Sequence, residues 1–378
     1  MNSSSECGCC NAKTKILAVI LDLDGTLLDT ERVTKGVLNE FLAKYGKEVD
    51  IERENSKRLG MTQKDSAAAI VMDYDLPLTP DQFIEQITPM YREKWVKAKA
   101  LPGANRLINH LHKHGVPFAL ASNSLREYID AKISHQQGWK ECFLVILGSD
   151  QVKSGKPAPD LFIEAARRMD VDAAHCLVIE DSLVGVKAAK AAKMKVIAVP
   201  AQSESDSSII ADTVLHSLLE FAPELWGLPP FEDWVDNALP IELIHLSVLY
   251  KSGTVSELIE EETSSLPDQV CGVYLGWAEV GMDKTCKVVV AIGWDERSCN
   301  TRRKIHICVI DENNGHLSDQ QMHILLVGYI RGLKSKVKGN TWMDMEILEE
   351  DKSIASTALD LPMFIHHEWC TIHPTGAT

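Results

Sequence analysis

Apolar positions along the chain follow two rhythms. Residues 16–22 carry Ile16, Leu17, Val19, Ile20 and Leu21 with little polar interruption, which predicts a strand buried on both faces. From about 31 to 100 the spacing turns helical, as in "VLNEFLAKYG" and "QFIEQITPMYREKW". Strand and helix patterns then alternate. Helix "GANRLINHLHKHG" is closed by Gly115, and strand "VPFALASNS" follows. Next come helix "LREYIDAKISHQQ", strand "CFLVILGSD" and helix "PDLFIEAARRM", which Pro159 can start. Strand "HCLVIEDS", helix "GVKAAKAAKM" and strand "KVIAVP" complete the series. This alternation calls for an α/β fold with a Rossmann-like, doubly wound parallel sheet. The stretch at about 31–100 is then a helical cap inserted after the first strand.

The grammar changes after "WGLPPFEDW". "CGVYLGWAEV", "CKVVVAIGW", "KIHICVID" and "HILLVGYIRG" are strand-like with short polar breaks, so a smaller antiparallel, barrel-like β domain is expected. A closing helix is expected from about Trp342 to Leu359. The chain thus divides into a disordered leader (1–14), an α/β domain (15–225) and a β-rich domain (226–378).

Composition narrows the partners. The net charge of −15 opposes a nucleic-acid partner, which needs a basic face, but a metal and one lysine can reverse the sign locally. No run approaches the roughly 20 apolar residues of a membrane span, and the first residues lack the apolar core of a secretory signal. Ten cysteines are present. Cys7, Cys9 and Cys10 crowd the leader without a suitably spaced partner for a metal, and the rest are scattered, which fits free thiols in a reducing cytoplasm.

Chemistry concentrates at the predicted strand ends, where ligands bind in an open parallel sheet. The first strand ends in Asp22 and Asp24, the second in Ser122 and Asn123. The loop after "VILGSD" carries Lys156, and a further strand ends in Glu180 and Asp181. These residue types suit phosphoryl transfer from a phosphomonoester. One carboxylate attacks phosphorus, and a second protonates the leaving oxygen and then takes a proton from water. Mg²⁺ prefers such hard oxygen ligands, while a hydroxyl and a lysine hold phosphate oxygens. Asp29 reads as a capping or hinge residue, His110, His112 and His114 as surface residues, and Lys57, Arg58 and Lys64 as solvated cap residues.

"DLDGTLLDT", "ASNS", "GKPAPD" and "VIEDSLVG", in that order, resemble the four motifs of the haloacid dehalogenase superfamily, in its phosphatase branch with a helical cap. The resemblance implies Asp22 as nucleophile and Asp24 as acid/base. It implies Thr26, Ser122, Asn123 and Lys156 as phosphate-binding residues. Mg²⁺ would be held by Asp22, the backbone carbonyl of Asp24, and Asp181, with Glu180 in support. Gly25 would give the turn.

"LPGANRLINHLHKHGVPFALASNS", "GWKECF" and "WGLPPFEDWVDNALPI" resemble the family of plant bifunctional proteins that join an FMN hydrolase to a riboflavin kinase. "GVYLGWAEV", "AIGWD", "LLVGYIR" and "EEDKSIASTALDLP" resemble its kinase unit. The implied substrate is FMN, with sugar or glycerol phosphates as alternatives; ATP and riboflavin would serve an active kinase. The second unit departs from the kinase pattern. The Gly-x-Pro-Thr-Ala-Asn element is missing, "ELIEEE" is acidic where triphosphate would lie, Asp295–Glu296 replaces Asn-Pro, and His306 stands where a catalytic glutamate is expected. A degenerate kinase domain follows, serving as a flavin-binding or interaction module.

Overall fold

The structure is a computed structural model that describes residues 15–50, 63–201, 210–250, 257–258, 266–280, 284–295, 302–310, 320–337 and 340–365. The leader with Cys7, Cys9 and Cys10 lies outside these residues, as do Lys57, Arg58, Glu296 and most of the acidic run.

Six strands form the first sheet: β1 (Ala18–Leu21), β2 (Phe118–Ala121), β3 (Val145–Leu147), β4 (Cys176–Glu180), β5 (Lys195–Ala198) and β6 (Thr213–Val214). Their order is β3-β2-β1-β4-β5-β6, and every pairing is parallel. The unbroken apolar run of β1 has a simple cause. Val19 and Leu21 face a core with Leu107, Ile108 and Leu111, whereas Ala18 and Ile20 face one with Leu161, Phe162 and Ala165. Both faces are covered, so no position of the strand needs to be polar. Burying each Leu or Ile side chain contributes about 1.5–3 kcal/mol.

The strand order reverses at β1, where β2 leaves to one side and β4 to the other. That switch opens a crevice beyond the carboxyl ends of β1 and β4. The cap stands over it, built from helices α1 (Thr30–Thr34), α2 (Val37–Ala43), α3 (Gln63–Asp73) and α4 (Pro80–Trp95). Thr79 starts α4 with a reciprocal capping box: its hydroxyl accepts from Gln82 N at 3.2 Å, and Gln82 Oε1 accepts from Thr79 N at 2.9 Å. The cap has its own core around Phe41, Ile70, Phe83 and Ile87. Two chain crossings tie it to the sheet side by side: Asp29 N donates to Lys99 O at 3.0 Å, and Leu101 N to Leu27 O at 2.9 Å. Asp29 sits at this crossing, at the N-cap position of α1, and its carboxylate pairs with the Arg32 guanidinium. Lys64 is exposed and lies 3.6 Å from Asp81.

The sheet flank carries helices α5 (Ala104–Lys113), α6 (Arg126–Ile133), α7 (Asp160–Arg168) and α8 (Leu183–Ala191). One expectation on α5 fails. His110 is buried at 8 % exposure, its Nε2 lies 2.8 Å from Pro229 O, and its ring packs on Phe231. The helix turns that face toward the segment leading into the second sheet, which the local spacing alone did not reveal.

The second sheet is antiparallel, with strands β7 (Leu239–Tyr250), β8 (Glu257–Leu258), β9 (Gly272–Val280), β10 (Lys284–Asp295), β11 (Arg302–Val309) and β12 (Gln320–Arg331) in the order β11-β10-β9-β12-β7-β8. The two edge strands approach each other, giving a barrel-like curl. A hairpin follows, β13 (Lys334–Val337) with β14 (Asn340–Asp344), then helix α9 (Glu349–Ala358). The closing helix therefore starts at Glu349, not near Trp342. Residues 340–344 pair as a strand, and Asp351 Oδ2 accepts from Leu348 N at 2.8 Å, fixing the helix start. No helix among the described residues is long and apolar enough to cross a membrane.

Candidate active site

The crevice at the β1/β4 switch holds a cavity of about 490 Å³. Asp22, Asp24, Ser122, Asn123, Lys156 and Asp181 line its floor. The cap and the start of α6 supply a mixed roof, in which Phe83, Ile87, Tyr91, Trp95 and Tyr128 stand beside polar residues such as Glu31, Gln63 and Thr88.

Two separate polar networks occupy the floor. The first is built on Lys156, which is 3 % exposed. Its Nζ donates to Asp22 Oδ1 and to Glu180 Oε1, each at 2.5 Å. Asn123 fixes the lysine's backbone: its Oδ1 accepts from Lys156 N at 2.7 Å, and its Nδ2 donates to Lys156 O at 3.1 Å. Glu180 Oε2 accepts from Ser182 N at 3.0 Å and from the Ser182 hydroxyl at 2.9 Å, at the start of α8. Gly185 in α8 leaves room for that carboxylate, since a Cβ there would sit 1.8 Å from Glu180 Oε1. Thr26 turns its hydroxyl to Asp181 Oδ1 at 3.0 Å and does not line the cavity.

The second network surrounds Asp24. Lys132 Nζ donates to both carboxylate oxygens, at 2.7 and 2.8 Å. The hydroxyls of Thr30 (2.7 Å), Ser124 (3.0 Å) and Ser122 (3.3 Å) donate to the same carboxylate. The Lys132 ammonium also lies over the Trp95 ring, 5.0 Å from its centre. Lys132, Ser124 and Thr30 carried no role in the sequence reading. A lysine in "REYIDAKI" reads as solvated; its only signal is its place between Ile129 and Ile133, both buried.

The two networks set opposite electrostatics. Burial pushes the Asp22 carboxyl up to about 7, Lys156 opposes this, and Glu180 and Asp24 add to the rise. Asp181 is raised well above the usual carboxylate range by burial, then by Glu180 and Asp22. Burial would lower Lys156, but the Asp22 and Glu180 carboxylates outweigh it and raise the ammonium's pKa. At Asp24 burial also acts upward, yet Lys132 and the hydroxyls win and hold the carboxyl below its ordinary value. Acceptor oxygens of Asp22, Glu180 and Asp181 lie within 4.8 Å of one another, buried and mutually repelling. Such a hard-oxygen cluster is suited to a divalent cation.

His306 occupies a different surrounding. It sits on β11 opposite Ala291, with Nδ1 3.4 Å from Met345 O, while its neighbours Ile305 and Ile307 enter the sheet core.

Comparison with known proteins follows the same division. Residues 16–193 match the haloacid dehalogenase-like hydrolase family, and residues 256–347 match riboflavin kinase. The Arabidopsis thaliana bifunctional riboflavin kinase/FMN phosphatase is 42% identical over 364 residues, covering 92% of this chain and 94% of the relative. The chain belongs to that family. Its first unit is a haloacid dehalogenase-type phosphatase, and its second is of riboflavin kinase type. The phosphatase unit is also similar to the Arabidopsis (DL)-glycerol-3-phosphatase 2, at 37% identity over 58% of this chain and 94% of the relative. Among solved structures it resembles CbbY from Rhodobacter sphaeroides in complex with phosphate, with TM-score 0.50 and 27% identity over 54% of this chain and 96% of that one.

Proposed function

We propose that the phosphatase unit hydrolyses FMN to riboflavin and phosphate through an aspartyl-phosphate on Asp22. The observation that carries this is the separation of the two aspartates. Asp22 and Asp24 face one cavity, yet one is held by Lys156 and the other by Lys132. In the first step an Asp22 oxygen bonds to phosphorus, the bond to the leaving oxygen breaks, and that oxygen takes a proton from Asp24. The phosphoryl dianion beside Asp24 favours its protonated form, opposing Lys132. In the second step water attacks phosphorus, Asp24 receives its proton, and the Asp22–phosphorus bond breaks. The carboxylate state that Lys132 favours is the one this step needs.

Asp22, Glu180 and Asp181, with the backbone carbonyl of Asp24, would hold Mg²⁺. When bound, the ion neutralises charge between nucleophile and phosphoryl group. Lys156 and the Ser122 hydroxyl hold phosphoryl oxygens, Asn123 fixes Lys156, and Thr26 holds Asp181. The aromatic roof of Phe83, Tyr91, Trp95 and Tyr128 suits a flat ring system above the phosphate, and a cavity of about 490 Å³ is of a size that encloses small ligands. The described cysteines Cys142, Cys176, Cys271, Cys286 and Cys308 are free, which supports a cytoplasmic location.

A panel of FMN, glycerol 3-phosphate and sugar phosphates, each with Mg²⁺, tests this reading. FMN is expected to show the highest kcat/KM. A higher value for glycerol 3-phosphate would overturn the substrate assignment, and no turnover of any would overturn the phosphatase.

For the second unit we infer that riboflavin is not phosphorylated. The missing Pro-Thr-Ala-Asn element and the acidic "ELIEEE" support this. The full chain carrying Asp22→Asn, which cannot consume FMN, is expected to make no FMN from riboflavin, ATP and Mg²⁺ above background. Accumulating FMN would restore the kinase.

A further inference from the structure

The second unit reaches the catalytic loop directly. Gln269, in the turn before β9, is 5 % exposed, and its Nε2 donates to Gly25 O at 3.0 Å. Gly25 lies between Asp24 and Thr26. Its φ of +81° is a left-handed conformation, and a Cβ there would sit 2.2 Å from Asp181 Oδ2. The loop is therefore pressed between Asp181 on one side and Gln269 on the other.

The turn that presents Gln269 is itself braced. Arg303 on β11, with a side chain 3 % exposed, donates from Nη1 to Leu266 O at 3.0 Å and from Nη2 to Pro267 O at 2.6 Å. Its guanidinium lies 4.6 Å from the centre of the Trp294 ring on β10. Val270 N donates to Pro267 O at 3.1 Å and Cys271 N to Gln269 O at 3.0 Å, closing the turn. A chain of contacts thus runs from the core of the second sheet through Arg303 and Gln269 to the Gly25 carbonyl. Asp24 precedes that carbonyl, and Thr26, which holds Asp181, follows it.

We propose that Gln269 is a positioning residue for the phosphatase, and that the second unit acts as a support for the catalytic loop. This role needs no phosphate cradle. It rests on the phosphatase reading of the Asp22 site. Outer partners that orient reacting groups affect turnover without touching substrate, and loss of one such hydrogen bond corresponds to a change of about 5- to 10-fold.

The test uses the full chain and the best substrate of the panel. Gln269→Met keeps the shape and removes the donor. Its kcat is expected to fall about 5- to 10-fold, with KM within about twofold of wild type and a melting temperature lowered by only a few degrees. Gln269→Glu lacks the donor when ionised but regains an O–H when protonated. Its activity relative to wild type is expected to rise as pH falls, while the Met ratio stays flat. Should the Met variant fail to fold, the Glu ratio still decides. A Met variant with wild-type kcat, or a Glu ratio independent of pH, would overturn the proposal. An inactive wild-type chain would instead condemn the phosphatase reading beneath it.

Discussion

Asp22→Asn is expected to lose about 10⁴-fold or more in phosphatase turnover while the protein stays folded. An amide oxygen still accepts from Lys156, but the amide cannot form the acyl-phosphate, and removal of a nucleophile has effects of this order. Stability moves the other way in metal-free buffer. The folded Asp22 carboxyl is pushed up from 3.8 to about 7 by burial, against Lys156, with Glu180 and Asp24 adding to the rise. A raised folded value means that the protonated state is favoured in the fold. Its stability contribution is fully present below about 3.8 and is lost as pH rises through about 7. The neutral amide escapes that loss. The melting temperature of Asp22→Asn relative to wild type should therefore climb between those two pH values. Activity within a hundredfold of wild type, or a variant that melts progressively lower across that window, would contradict this.

Lys156→Met is expected to damage fold and function together. The ammonium is buried between Asp22 and Glu180 at 2.5 Å from each, and Asp181 lies in the same carboxylate cluster. Removing it leaves buried negative charge without its partner, a loss of about 3–5 kcal/mol. Turnover should fall about 10³-fold, because both the nucleophile and the phosphoryl oxygens lose their cation. The double variant Lys156→Met/Glu180→Gln should recover part of the stability, since it removes one of the abandoned charges, but none of the turnover. Urea melts of the single and double variants measure this. Equal midpoints for Lys156→Met and wild type would show that the lysine is not holding the cluster together.

The phosphatase floor was legible because its residues sit at strand ends, and strand ends are visible as places where apolar runs stop. Asp22 follows β1, Ser122 follows β2, and Glu180 closes β4. Lys132 was not legible. It lies inside a helix of mixed polarity, and only the tertiary packing that buries Ile129 and Ile133 turns it onto Asp24. His110 hid for a related reason: its partners, Pro229 and Phe231, come from a segment more than a hundred residues away in sequence. Thr26 stood in a phosphate-binding motif, yet its hydroxyl is turned to Asp181. The start of α9 lies later than the sequence pattern suggests, because Trp342 and Met343 belong to the hairpin strand β14 and helix capping begins only at Leu348. Gln269 had no local signal, since its hydrogen bond spans 244 residues of chain.

Acid-quenched single turnover distinguishes transfer of the phosphoryl group through Asp22 from every other route. The chain is mixed with substrate and Mg²⁺, quenched in acid, treated with borohydride, and its peptides are analysed by mass spectrometry. An acyl-phosphate is expected at Asp22, read as its reduction to homoserine in the peptide containing "LDLDGT" and absent from Asp22→Asn. Turnover under the same conditions with the phosphoryl group found on another residue, or with Asp22 never modified, would contradict it.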